Sequence, residues 1–119
     1  MTAVLEIRTY KLAPGTRDDF DDMVRERSLP MLERFGIRVV AYGPSTTDGD
    51  DHYYLIRAFA SDAERKEQLE AFYGSDEWRE NHRDAFLALI EAYHTVAIEL
   101  TPNVRAALTR AARSTSDVA

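Results

Sequence analysis

The chain has 119 residues, 45% hydrophobic and 30% charged, which suits one globular domain with a real core and is too apolar for a disordered segment. Its 21 acidic against 15 basic side chains give a net charge of −6 with no Lys/Arg run, which argues against nucleic acid or an anionic membrane surface as a partner. The absence of cysteine excludes disulfides, thiol nucleophiles, iron–sulfur clusters and thiolate zinc sites.

The opening, MTAVLEIRTY, lacks the basic-then-apolar pattern of a secretory signal, and no apolar run reaches membrane-spanning length. A cytoplasmic location is therefore expected. Val4–Leu12 is predicted as a strand by alternation and by its Val, Ile, Thr and Tyr content. Within it, the stretch EIRTY places Glu6, Arg8 and Tyr10 on one face and Leu5, Ile7 and Thr9 on the other. Ala13–Gly15 is a turn, and Thr16 with Asp19 three residues on resembles a capping box that opens a helix over Thr16–Arg34. Pro30 lies inside that helix and is expected to kink or end it near Ser28–Leu29. Gly36 closes it.

A second strand is predicted over Ile37–Tyr42, a polar loop over Gly43–Asp51 and a third strand over His52–Phe59. Ser61 with Glu64 forms a capping box for a helix to about Tyr73, ended by Gly74. Ser75 caps a further helix through Tyr93, with Trp78, His82, Ala85, Phe86 and Leu89 as its apolar stripe. Thr95–Leu100 is the fourth strand. Residues 1–101 then make one domain, and residues 102–119 a tail with one short helix, Val104–Ala112, and a frayed end.

The order β-α-β-β-α-β, with the second helix broken in two, is the ferredoxin-like α+β pattern: a four-stranded antiparallel sheet with helices on one face. Its other face is left for water, a partner or a shared cavity. In the third strand Tyr53, Leu55, Arg57 and Phe59 share a face, which brings Arg57 near Glu6 or Arg8. Two arginines around a carboxylate can hold an anion or enolate oxygen, or can form a buried ion-pair network that sets register. His82, one turn from Trp78 and from Phe86, is a candidate general base near neutral pH, or equally a core histidine. His52 and His94 add no metal-ligand spacing, the acidic run Asp48-Gly49-Asp50-Asp51 lacks the terminal Glu of a calcium loop, and no Gly-rich phosphate loop exists. No metal or cofactor is expected.

Glu6-Ile7-Arg8-Thr9-Tyr10, followed by Leu12, Pro14-Gly15 and Phe20, resembles the opening motif of the NIPSNAP family. Arg57-x-Phe59-x-Ser61, Arg65 and Ser75-Asp76-Glu77-Trp78 resemble that family's second signature region, and the similarity runs from about Val4 to Leu100. The resemblance implies a dimeric α+β barrel, related to cofactor-independent monooxygenases, in which a cavity between the sheet and its own helices is the usual site. It brings no single activity, and the family commonly has an aromatic residue at the position aligned with Arg57. The expectation is a homodimer that binds a small hydrophobic or aromatic compound. His82 and Tyr10 would be catalytic, with Glu6, Arg8, Arg57, Tyr53, Phe59 and Trp78 binding substrate. Oxygenation and isomerisation or cyclisation both suit such a site. The alternative is a non-catalytic homo-oligomeric module with the same residues at its interface.

Overall fold

A computed structural model describes residues 2–46, 49 and 51–118, with side chains as far as Arg113. The elements run β1 (Val4–Leu12), α1 (Arg17–Met23), a π-helical segment (Val24–Ser28), α2 (Leu29–Arg34), β2 (Arg38–Pro44), β3 (His52–Phe59), α3 (Asp62–Tyr73), α4 (Asp76–Asn81), α5 (Arg83–Leu87), β4 (Ile90–Glu99) and α6 (Pro102–Val118). The four strands form one antiparallel sheet in the order β2-β3-β1-β4, the expected ferredoxin-like arrangement, with β1 paired on both edges. Alternation decides the two faces. Val4, Glu6, Tyr10 and Leu12 of β1 and Tyr53, Leu55, Arg57 and Phe59 of β3 are buried under the helices, while Leu5, Ile7, Tyr54 and Ile56 lie on the open side. Phe20, Val24, Met31, Leu32, Phe72 and Phe86 complete the core from the helix layer.

Local signals set most element ends. Ser61 Oγ accepts from Glu64 N–H at 3.1 Å and Ser75 Oγ from Trp78 N–H at 3.2 Å, so both serines cap their helices as the sequence suggests. Thr16 does not: its hydroxyl donates to Ala13 C=O at 2.6 Å, tightening the preceding turn instead of capping α1. Gly36, at φ +75°, ends α2 in the left-handed conformation that favours glycine. Pro30 is accommodated upstream of the expected kink. In a regular helix its ring would press on the Glu26 carbonyl, and the wide π turn Val24–Ser28, which contains Glu26, relieves that contact.

Three expectations need correction. The helix predicted through Tyr93 breaks at His82 (φ −130°, ψ −38°) and ends at Leu87, so the second helical region is three pieces, not two. Residues 90–94 join β4, because Lys11 and Leu12 at the end of β1 take Ala92 and Ile90 as ladder partners across a bulge, and that pairing overrides local helix propensity. The C-terminal helix extends to Val118 beyond the expected Val104–Ala112. In the acidic loop run, Asp48 and Asp50, and Thr47 before them, lie outside the described residues.

Phe72 has no exposed surface and packs edge-on to Phe35 at 5.4 Å and Tyr73 at 4.8 Å between ring centroids. Phe72→Ala should therefore cost about 3–5 kcal/mol of unfolding free energy, read as a lowered denaturant midpoint with an unchanged slope. A loss below about 1 kcal/mol would mean that this part of the core is not closely packed.

Candidate functional site

The site begins with β1. Its register sets Glu6 opposite Arg57, Arg8 opposite Leu55 and Thr95, and Tyr10 opposite Tyr53 and Tyr93. The polar face of EIRTY therefore points into the space beneath the helices of its own chain. Glu6 and Arg57 have no exposed surface. One Glu6 oxygen accepts from Arg57 Nε at 2.9 Å and also from Arg57 Nη2, while the other accepts from Arg65 Nη1 at 2.9 Å. Arg65 in turn donates to Asp62 at 2.8 Å. Burial works to raise the Glu6 pKa, but the Arg57 and Arg65 bonds and the nearby Arg8 charge outweigh it and hold the carboxyl below the ordinary range.

From this ion pair the network continues toward a cavity. Arg57 Nη1 donates to the Tyr73 hydroxyl at 2.9 Å, and Arg8 Nη1 donates to the same oxygen at 3.1 Å. Arg8 Nε donates to Thr95 Oγ1 at 3.1 Å, and its guanidinium lies 5.5 Å from the Tyr73 ring centroid and 5.1 Å from that of Tyr93. No carboxylate comes within 4.0 Å of Arg8 among the described residues. The cavity it enters measures about 400 Å³. Arg8, Tyr73 and Tyr10 supply its polar wall, and Trp78, Phe20 and Phe86 much of the aromatic wall. Trp78 stacks on Phe86 at 5.2 Å and meets Tyr73 edge-on at 5.1 Å. Burial, then the neighbouring Tyr73, push the Tyr10 phenol up to about 12 despite the opposing pull of Arg8 and Arg57, so it keeps its proton at neutral pH. A larger, shallower depression of about 640 Å³ runs along β2 and α2 and contains no buried polar side chain.

The residues singled out in the sequence divide into three groups. Arg8, Tyr10 and Trp78 line the cavity; Glu6 and Arg57 stand behind it and hold Tyr73 in place. Tyr53, Phe59 and His82 are elsewhere. Tyr53 donates its hydroxyl proton to Asp21 at 2.5 Å, and Phe59 is a core residue. The helix breaks at His82, whose mostly buried side chain stays beside Trp78, 6.2 Å between ring centroids, with Nε2 3.8 Å from Glu77, which is itself held by Arg34. Sequence reasoning missed Tyr73, the last residue of α3, and Tyr93 and Thr95, whose faces became defined only once β4 was seen to begin at Ile90. No group of three or more metal-ligating side chains occurs among the described residues.

A family model described as NIPSNAP matches residues 5–103. A NIPSNAP family protein from Agrobacterium tumefaciens superposes with a TM-score of 0.75 at 18% identity, covering 84% of this chain and 87% of that one. An uncharacterized NIPSNAP domain protein from Burkholderia xenovorans gives 0.71 at 16% identity, with 80% and 91% covered. A protein from Chloroflexus aurantiacus, provisionally assigned as an antibiotic biosynthesis monooxygenase, gives 0.59 at 15% identity, with 84% and 94% covered. No curated protein matches the chain.

The buried carboxylate makes stability depend on acid in a defined direction. Because the Glu6 pKa is lower in the folded state than its value of 4.5 in the unfolded chain, the unfolded state takes up the proton first. The contribution is complete above that value and is lost as pH falls through the folded pKa. Glu6→Gln, which leaves Arg57 buried without its counter-charge, should cost about 3–5 kcal/mol at pH 7. The gap to the wild type should narrow in acid. Denaturant titrations of both proteins from pH 7 to pH 3 check this, and parallel pH profiles would refute it.

Proposed function

The chain belongs to the NIPSNAP family, and from that premise we propose that it binds a small aromatic or hydrophobic compound carrying an acceptor oxygen. The site is the cavity between its sheet and its own helices. The observation that carries this reading is Arg8: a guanidinium at the wall of an aromatic cavity, braced by Tyr73 and Thr95 and left without a carboxylate. Such an arrangement recognises a carboxylate, phenolate, enolate or carbonyl oxygen by charge-assisted hydrogen bonding, while Trp78, Phe20 and Phe86 take up the apolar body. A volume of about 400 Å³ falls within the usual size of small-molecule pockets.

If the compound is turned over, cofactor-independent oxygenation suits the site better than isomerisation or cyclisation. The latter reactions move protons through a general base, and burial keeps the Tyr10 phenol protonated at neutral pH while His82 lies outside the cavity lining. An anion held on Arg8 is the electron-rich form that can react with dioxygen as co-substrate. The likeness to the Chloroflexus aurantiacus protein agrees with this at the level of fold. The open sheet face, with half-buried Leu5, Ile7 and Ile56 and exposed Val96, supports a homodimer as the working assembly.

Trp78 is the chain's one tryptophan and lines the cavity, so its fluorescence reports occupancy directly. Titration with 4-nitrobenzoate should quench it saturably. Arg8→Gln should weaken that binding roughly 10- to 100-fold, the loss of one hydrogen bond to a charged group. Quenching that does not saturate, or an affinity unchanged in the variant, would remove this reading.

A further inference from the structure

The lining carries the guanidinium of Arg8 and the hydroxyls of Tyr10, Ser28, Tyr73 and Tyr93. Arg8 spends Nε on Thr95 and Nη1 on Tyr73, the Tyr10 hydroxyl also lies within its reach, and no carboxylate pairs with it among the described residues. The Tyr73 oxygen accepts from Arg8 and from Arg57, which directs its own hydrogen away from both guanidinia. Arg83 adds a second, half-exposed guanidinium to the lining, with the exposed Asp84 carboxylate 3.7 Å from it. Bases that could take a proton from a ligand are missing from the same wall: among the described residues the lining contains no carboxylate and no imidazole.

The carboxylates near the site are occupied elsewhere. Both Glu6 oxygens are bonded to Arg57 and Arg65, Asp62 pairs with Arg65 and Lys66, Asp21 accepts from Tyr53 and Arg25, and Glu77 is held by Arg34. The charged and titratable groups that reach Arg8 or share its cavity are Glu6 and Tyr10 on β1, Arg57 on β3, Tyr73 on α3, Arg83 on α5 and Tyr93 on β4. None is an imidazole, the one side chain that ordinarily changes charge between pH 5 and 8.

Building on the proposed binding site, we infer that the cavity selects compounds ionised by their own acidity and admits them as preformed anions, without removing a proton from them. The ligand class is then carboxylic acids, electron-poor phenols and the enols of 1,3-dicarbonyl compounds, each with an aromatic or apolar body. Neutral alcohols and simple phenols of the same shape are poor ligands, because they bring no charge to meet Arg8 and the wall holds no carboxylate or imidazole to ionise them. Amines are poorer still, since a cation would face Arg8 and Arg83.

The test is isothermal titration calorimetry of the full chain with phenol, 4-nitrophenol and 2,4-dinitrophenol between pH 5 and pH 9, with 4-nitrobenzoate as the anion that is ionised throughout. Affinity at pH 7 should rise with the acidity of the phenol, with phenol at least about tenfold weaker than 2,4-dinitrophenol. Binding of 4-nitrophenol should fall away below its own solution pKa, which lies inside this range, while 2,4-dinitrophenol and 4-nitrobenzoate, ionised throughout it, stay level. Arg8→Gln should flatten the ranking. Equal affinities for the three phenols in the wild type would overturn the inference and leave the cavity reading standing. A break at one shared pH for every ligand would also overturn it, by exposing a protein group that takes the proton. If 4-nitrobenzoate itself produces no binding heat, the cavity reading falls and this inference with it.

Discussion

Everything in the molecule that resembles a site hangs from one carboxylate. Glu6 sits in the central strand with no exposed surface and has both oxygens bonded to arginines. Replacing such a buried pair with apolar side chains is often neutral or stabilising, so its presence is not explained by strength. It does carry information about alignment. A slip of one residue in the β1–β3 ladder would turn Glu6 to the open face and strand Arg57 in the core. The fold therefore has one low-energy register, and that register is the one that places Arg8 beside the cavity.

The network is also directional. At its outer end Arg65 and Asp62 are partly exposed, in its middle Glu6 and Arg57 are dry, and at its inner end Tyr73 and Arg8 meet the cavity. Positive charge is compensated at the outer end and left over at the inner one. Beside aromatic walls of low dielectric that surplus attracts an anion more strongly than a fully exposed arginine would. Tyr73, which accepts from two guanidinia at once, fixes the distance between the charge that holds the structure and the charge that faces a ligand.

Much of this was legible in the chain, and the reasons it stopped are physical. Period-two alternation defined the faces of β1 and β3 and hence the neighbourhood of Glu6 and Arg57. Alternation could not say which face the helices cover, because Leu5 and Ile7 make the other face equally able to be buried. The stretch Ala88–Tyr93 has good helix formers, so nothing local marks Tyr93 as a strand residue; its pairing with Tyr10 of β1 does. The argument for His82 needed a continuous helix, and the break at that residue removes the periodicity on which it rested. Tyr73 carried only the ordinary signature of a helix end before glycine, and its role depends on two arginines distant in sequence.

The π turn has a consequence for how this pocket can change over time. Val24 and Ser28, its first and last residues, both line the cavity, so the curvature of that wall follows from the number of residues wound into the turn. A π turn carries one residue more than the α turn it replaces, and dropping one leaves the phase of the helix on either side intact. Pro30 opposes the deletion, since a regular turn would return a carbonyl to its ring. This wall is written in chain length rather than in side-chain identity. Insertions and deletions there, more than substitutions, are the route by which such a pocket would be reshaped.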